Sequence, residues 1–325
     1  LNCLYMISER HYPCAQLKAI YELRALTLAG YMPDVLACAG CGKKATSDPT
    51  TLNDTGLVSS STQELIYKNS SYTLRFNHND AGEWQWKDDT TIPLNQSKVQ
   101  ELLDQVSALN VLVPLENPGD ITTYDLDAPD RTLEVKDADG SGISLQIGSA
   151  AEGGGHYMCR DGDTTKIYVV PDALVQMMDR NIYELVQIPA VPVLAAEALT
   201  AIEAQGGGAS VTVSRSDDGR WLREGTDVSG QLEGLVSLLG QGLALESCVD
   251  YNPSSGALPI CGLTDPTVTA TVHYTAANGS AGSFTVKVGL SYEDGYFAMY
   301  NEVPAIFKVS AATAQLLTGL LSLAA

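Results

Sequence analysis

Seven cysteines and four histidines are the residues with which this chain could bind a metal or attack a substrate. Cys38-Ala39-Gly40-Cys41 is the densest pair. Two thiolates spaced C-x-x-C on a glycine-containing turn form half of a tetrahedral zinc site. No second C-x-x-C follows, so the alternative is two free or loosely oxidised thiols. Cys248 and Cys261 bracket a single loop further on. In an oxidising compartment a disulfide between them would close that loop, worth roughly 3 kcal/mol. The alternative is two unpaired buried thiols.

The other candidates reduce to turns. Asp137-Ala138-Asp139-Gly140 starts like a calcium loop but lacks the acid at its twelfth position, so it reads as a hairpin turn. Arg160-Asp161-Gly162-Asp163 reads the same way. Gly153-Gly154-Gly155-His156 has no Lys-Ser/Thr after it, as a phosphate cradle would. His11, His78, His156 and His273 are scattered, and no G-x-S-x-G or P-loop is present. No catalytic residue and no cofactor beyond a half-liganded zinc is therefore expected.

Charge narrows the function further. The 325 residues carry a net charge of −20, which repels phosphate backbones. Residues 1–45 are the exception, at +2: Arg10, Lys18, Arg24, Lys43 and Lys44 against Glu9, Glu22 and Asp34. The remainder stands at −22, so no nucleic acid is expected on residues 63–325. No run of 18 apolar residues is present.

The elements that would position these residues follow from periodicity. Residues 15–30 have apolar residues at helical spacing, with Gly30 as a stop. Residues 46–62 are rich in Ser, Thr, Asp, Gly and Pro, and read as a flexible linker. From residue 63 onward, short segments with a two-residue period alternate with hairpin signals. Tyr72, Leu74 and Phe76 alternate in this way, as do Trp84 and Trp86. Ser97 is expected to cap a helix carrying Val99, Leu102, Leu103, Val106 and Leu109. A second helix is expected from Pro171–Asp172 to about Val186.

An internal echo organises the rest. Tyr124-Asp125-Leu126-Asp127-Ala128-Pro129 and Cys261-Gly262-Leu263-Thr264-Asp265-Pro266 share a Leu-x-x-Pro core, at a numbering offset of 137. Gly82 and Trp84 recur at Gly219 and Trp221 with the same offset. Further on the offset becomes 139, matching Tyr157 to Tyr296 and Ile167 to Ile306. Each proline is expected to precede a strand, and Leu126 and Leu263 to plug the core beneath a structural corner. The nearby acids Asp120, Asp125, Asp127 and Asp130 read as a solvated edge or a weak cation site. The echo also decides residues 198–204, helical by composition but aligned with a strand in the first copy. The expected fold is α+β: two tandem units, 63–187 and 188–325, each an antiparallel meander packed by two helices, after a helical and cysteine segment at 1–45.

Two resemblances fit these residues. Tyr21-Glu22-Leu23-Arg24, Ala29-Gly30-Tyr31-Met32-Pro33 and Cys38 to Gly42 resemble the RecO recombination-mediator family, in which such a helix leads into a four-cysteine zinc module. The order of Tyr72 to Phe76, Trp84, Tyr124 to Pro129, Leu145 to Gly148 and Lys166 to Val170 resembles the bacterial domain of unknown function 4340 family. Membership there implies an exported, membrane-tethered envelope protein with no assigned activity. The usual hydrophobic anchor has no counterpart in the sequence, so membrane association is expected only through an absent anchor or a lipid. Cys41, followed by a Ser/Thr/Asp-rich tether, is lipoprotein-like. The expected function is thus a non-enzymatic extracytoplasmic scaffold or adaptor with protein partners in the envelope. The alternative is a cytoplasmic DNA-repair mediator resting on residues 1–43. A hydrolase using acids between the units comes third.

Overall fold

The computed structural model describes residues 62–107, 109 and 115–324. Cys38, Cys41, the helix expected at 15–30 and all of the linker before Thr62 lie outside the described residues.

The first half runs β1 (Thr62–Lys68), β2 (Thr73–His78), β3 (Trp84–Trp86), α1 (Gln96–Ser107), β4 (Leu115–Glu116), β5 (Arg131–Asp137), β6 (Gly142–Ala150), β7 (His156–Arg160), β8 (Asp163–Val170) and α2 (Asp172–Met178). The second runs β9 (Leu199–Gly206), β10 (Ala209–Arg215), β11 (Trp221–Arg223), β12 (Thr226–Asp227), α3 (Ser229–Gln241), β13 (Ser247–Tyr251), α4 (Ala257–Ile260), β14 (Val268–Thr275), β15 (Ala281–Tyr292), β16 (Gly295–Tyr300), β17 (Ala305–Ser310) and α5 (Ala311–Gly319). The fold is α+β with two antiparallel, meander-like sheets.

The sheets are ordered β3-β2-β1-β5-β6-β7-β8-β4 and β12-β11-β10-β9-β14-β15-β16-β17-β13. Numbered within its own sheet, each runs 3-2-1-5-6-7-8-4, with β12 added at one edge. Registers agree as well: Arg131 pairs with Ile147 in β5–β6, and Val268 with Val288 in β14–β15. Trp84 and Trp221 each open a short strand and are themselves buried. Each gives its backbone N–H to the first residue of the following helix: Trp84 to Gln96 Oε1 at 2.7 Å, Trp221 to Ser229 Oγ at 2.9 Å.

One apolar core runs through both halves, from Leu65, Leu133 and Met158 to Leu239, Val286 and Phe307. Fully burying such a side chain contributes about 1.5–3 kcal/mol. The halves are also joined by hydrogen bonds. Tyr183 Oη donates to Asp250 Oδ1 at 3.0 Å, and Asn252 Nδ2 to Thr91 Oγ1 at 2.9 Å. The expected units 63–187 and 188–325 thus correspond to two sheets around a shared core.

Several sequence expectations need correction. Asn95, not Ser97, caps α1; its side-chain oxygen accepts from Lys98 N–H at 3.2 Å. Leu109 lies beyond the helix, still buried. The second helix stops at Met178 rather than Val186. Its last carbonyls are taken by the first hairpin: Met178 by Asn69 Nδ2, Asp179 by Tyr72 Oη, Arg180 by Tyr67 Oη. Asn181 then caps a separate 3-10 turn, Ile182–Leu185. The 139 offset holds for Ile167 and Ile306 but misplaces Tyr157. By register His156 corresponds to Tyr296 and Tyr157 to Phe297, because bulges interrupt β6–β7 and β7–β8. Residues 199–206 form a strand, as the echo requires.

Candidate functional site

The two Leu-x-x-Pro corners share their hydrogen bonds. Leu126 N–H donates to Ile121 C=O at 3.3 Å, and Leu263 N–H to Leu258 C=O at 2.8 Å. Asp125 N–H donates to Thr122 C=O, and Gly262 N–H to Pro259 C=O. Each of these residues in the first corner meets its counterpart at the one offset of 137. The turning residue is left-handed in both, Asp125 at φ 53° and Gly262 at φ 69°. The chain before the corner is a 3-10 turn, Ile121–Tyr124, in one half and α4 in the other. Pro129 and Pro266 stand two residues ahead of β5 and β14, where a missing N–H costs the ladder nothing.

Each corner covers the sheet face that points away from the main core. Leu126 packs with Cys159 and Ile167; Leu263 packs with Cys261 and Ile306. The corners approach so closely that only glycine fits beneath them. A Cβ on Gly148 would run into the Tyr124 carbonyl oxygen, and one on Gly289 into that of Cys261. Tyr124 and Cys261 stand at the same offset again.

Beside the first corner, at the ends of β5, β6 and β7, lies a cleft of about 470 Å³. Its polar lining comes from Asp125, Asp130, Arg131, Ser149 and His156. Arg131 reaches the far end of α2, where Nε and Nη2 hold the two oxygens of Asp179 at 3.1 and 3.2 Å. His156 Nδ1 lies 3.2 Å from Asp172 Oδ1 at the near end of α2, without making a hydrogen bond. Among the described residues, Asp125 and Asp130 have no side-chain partner. Sequence reasoning named both as part of an acidic edge but missed Arg131 and His156, which the hairpin β6–β7 brings alongside.

The remaining candidates are placed as follows. Cys248 and Cys261 do not form the disulfide considered above: both are buried free thiols, Cys248 in the main core and Cys261 under the corner. Burial pushes the Cys248 thiol up to about 12, with the Asp250 carboxylate adding to the shift. Cys159 is likewise raised by burial. Asp139 accepts from Ser141 N–H at 2.9 Å, closing a turn as expected. His78 stacks on Trp84 at 3.9 Å, and His273 faces Glu203 at 3.2 Å. Among the described residues no three His, Cys, Asp or Glu side chains converge as a metal site. No helix among them is long and apolar enough to cross a membrane.

These features define a class: an α+β protein of two like-ordered antiparallel sheets, each braced by a Leu-x-x-Pro corner, one corner bordering a polar cleft. Comparison with known families adds two matches. Residues 84–238 match the family described as Domain of unknown function (DUF4340), and residues 1–78 match the one described as Recombination protein O C terminal. No curated protein and no solved structure matches the chain. The second match reaches well past residue 43 and ends on His78, the last residue of β2. Yet β1 pairs with β5, which lies inside the first match. The first match in turn runs from β3 through most of α3, across the junction between the sheets.

Proposed function

We propose that residues 62–325 are a non-enzymatic scaffold or adaptor of the bacterial envelope, built from two copies of one ancestral unit. The observation that carries the duplication is the pair of corners, whose hydrogen bonds, left-handed turn and carbonyl contact on glycine recur at one offset. Chance similarity of strand order would not reproduce them atom by atom. The match to a family of unknown function, whose members look like exported envelope proteins, supports the placement. Raised thiol pKa values support a non-catalytic reading, because a nucleophilic cysteine needs a depressed one. Protein partners are then expected on the outward sheet edges, with membrane association through an anchor or lipid upstream of Thr62. The test is protease accessibility in spheroplasts. Protease added outside should degrade the full chain while a cytoplasmic marker survives; equal protection of both overturns the placement.

A second reading, a recombination mediator, is favoured by the match of residues 1–78 alone. It requires close to one zinc per chain, held in part by Cys38 and Cys41. It also requires DNA affinity that falls steeply with salt. Elemental analysis and a salt titration of DNA binding separate the two readings.

A further inference from the structure

The cleft beside the first corner has a built-in comparison, because the second sheet repeats its backbone. Asp125, Asp130 and Arg131 correspond at offset 137 to Gly262, Thr267 and Val268. Through the registers of β6 and β7, Ser149 corresponds to Leu290 and His156 to Tyr296. Every ionisable group of the cleft is thus replaced in the second sheet by a residue that is neutral at pH 7. Leu290 also closes the space, with its Cγ 2.7 Å from where a Cβ on Gly262 would stand. The same corner folds around Leu290 in one half and stays open in the other. The polar lining is therefore not what the corner needs in order to form.

We propose that this cleft binds a small hydroxylated amine of about amino-sugar size. At about 470 Å³ it is in the range of small-molecule sites. Arg131 is already held by Asp179, and His156 faces Asp172, so neither neutralises the acids of the cleft. Asp125 and Asp130, unpartnered among the described residues, favour a cation. Carboxylates that accept from an ammonium make the stronger, charge-assisted class of hydrogen bond. The Ser149 hydroxyl and the strand-end backbone at Gly148 to Ala150 offer donors and acceptors to ligand hydroxyls. The inference goes beyond the scaffold reading and stands without it.

The test is titration of the full chain with glucosamine and with glucose, followed by ligand-observed NMR. Glucosamine should bind, and glucose more weakly. D125N/D130N should weaken glucosamine at least about tenfold, since each lost charge-assisted bond is worth a factor of that order. Asn tolerates the left-handed backbone at position 125, so the variant should keep its fold. S149L, which installs the residue of the second sheet, should abolish binding. D127N, outside the cleft, should leave it within about twofold. Absence of glucosamine binding in the wild type overturns the proposal. So does retention of wild-type affinity in S149L, whatever the fate of the double variant. Equal weakening by D127N would mean diffuse attraction to an acidic surface, and overturns it too.

Discussion

Gly148 and Gly289 are the residues on which the two corners rest, and they make the sharpest substitutions available. Alanine at either forces a backbone carbonyl away, whereas Gly153 has open space and no left-handed requirement. G148A and G289A should each cost about 1–3 kcal/mol, the usual range for overpacking, and G153A close to nothing. Urea midpoints of the three variants measure this. Cys248 supports a pH prediction at the same scale. Its folded pKa, about 12, lies above the ordinary thiol value, so the unfolded chain loses that proton first. Stability from this group is complete below about pH 9 and is lost as pH rises toward 12. Tyr183, raised to about 12 by burial and by its bond to Asp250, acts in the same direction from about pH 10. Thermal melts between pH 8 and 11 should fall, and the fall should be shallower in C248A. Native protein should also resist alkylation at Cys248 at pH 8. The acids of the cleft were legible in the sequence; their companions were not. His156 lies two strands further along the chain than Asp125 and reaches the cleft only through the β6–β7 hairpin.

Among the elements, those with a two-residue period or a repeated partner were readable in advance. Residues 199–206 are the instructive case: alanine-rich composition favours a helix, but pairing on both sides with β10 and β14 makes them a strand. What the sequence hid were the boundaries set by distant side chains. The end of α2 depends on Tyr67, Asn69 and Tyr72, which belong to the first hairpin of the sheet. The bulges in β6–β7 and β7–β8 leave no compositional mark, and they shifted the expected match of Tyr157. Asn69 offers the test at this scale. Its side chain also accepts from Ser71 and Tyr72 N–H, so it holds the β1–β2 turn and the end of α2 together. N69A leaves a buried carbonyl unpaired and should cost about 1–3 kcal/mol. Faster hydrogen exchange should appear in α2 as well as in the turn; acceleration confined to the turn would mean that the helix ends without its help.

In the whole molecule the two sheets share one core, so they should melt together. Calorimetry of the full chain should show one transition for residues 62–325. Residues 188–325 alone should not give the cooperative melt of an independent domain, because β13 loses the 3-10 turn at Ile182–Leu185 and Asp250 loses Tyr183. A sharp independent transition for that fragment would refute the shared core. The family matches bear on the same point. One ends at His78 and the other begins at Trp84, but the sheet runs across that gap without interruption.

The position of β1 has a mechanical consequence. It is the first described strand, and it lies inside its sheet, hydrogen-bonded to β2 on one side and β5 on the other. Tension arriving along the chain from before Thr62 is carried into two ladders at once, and an edge strand that could peel away never bears it.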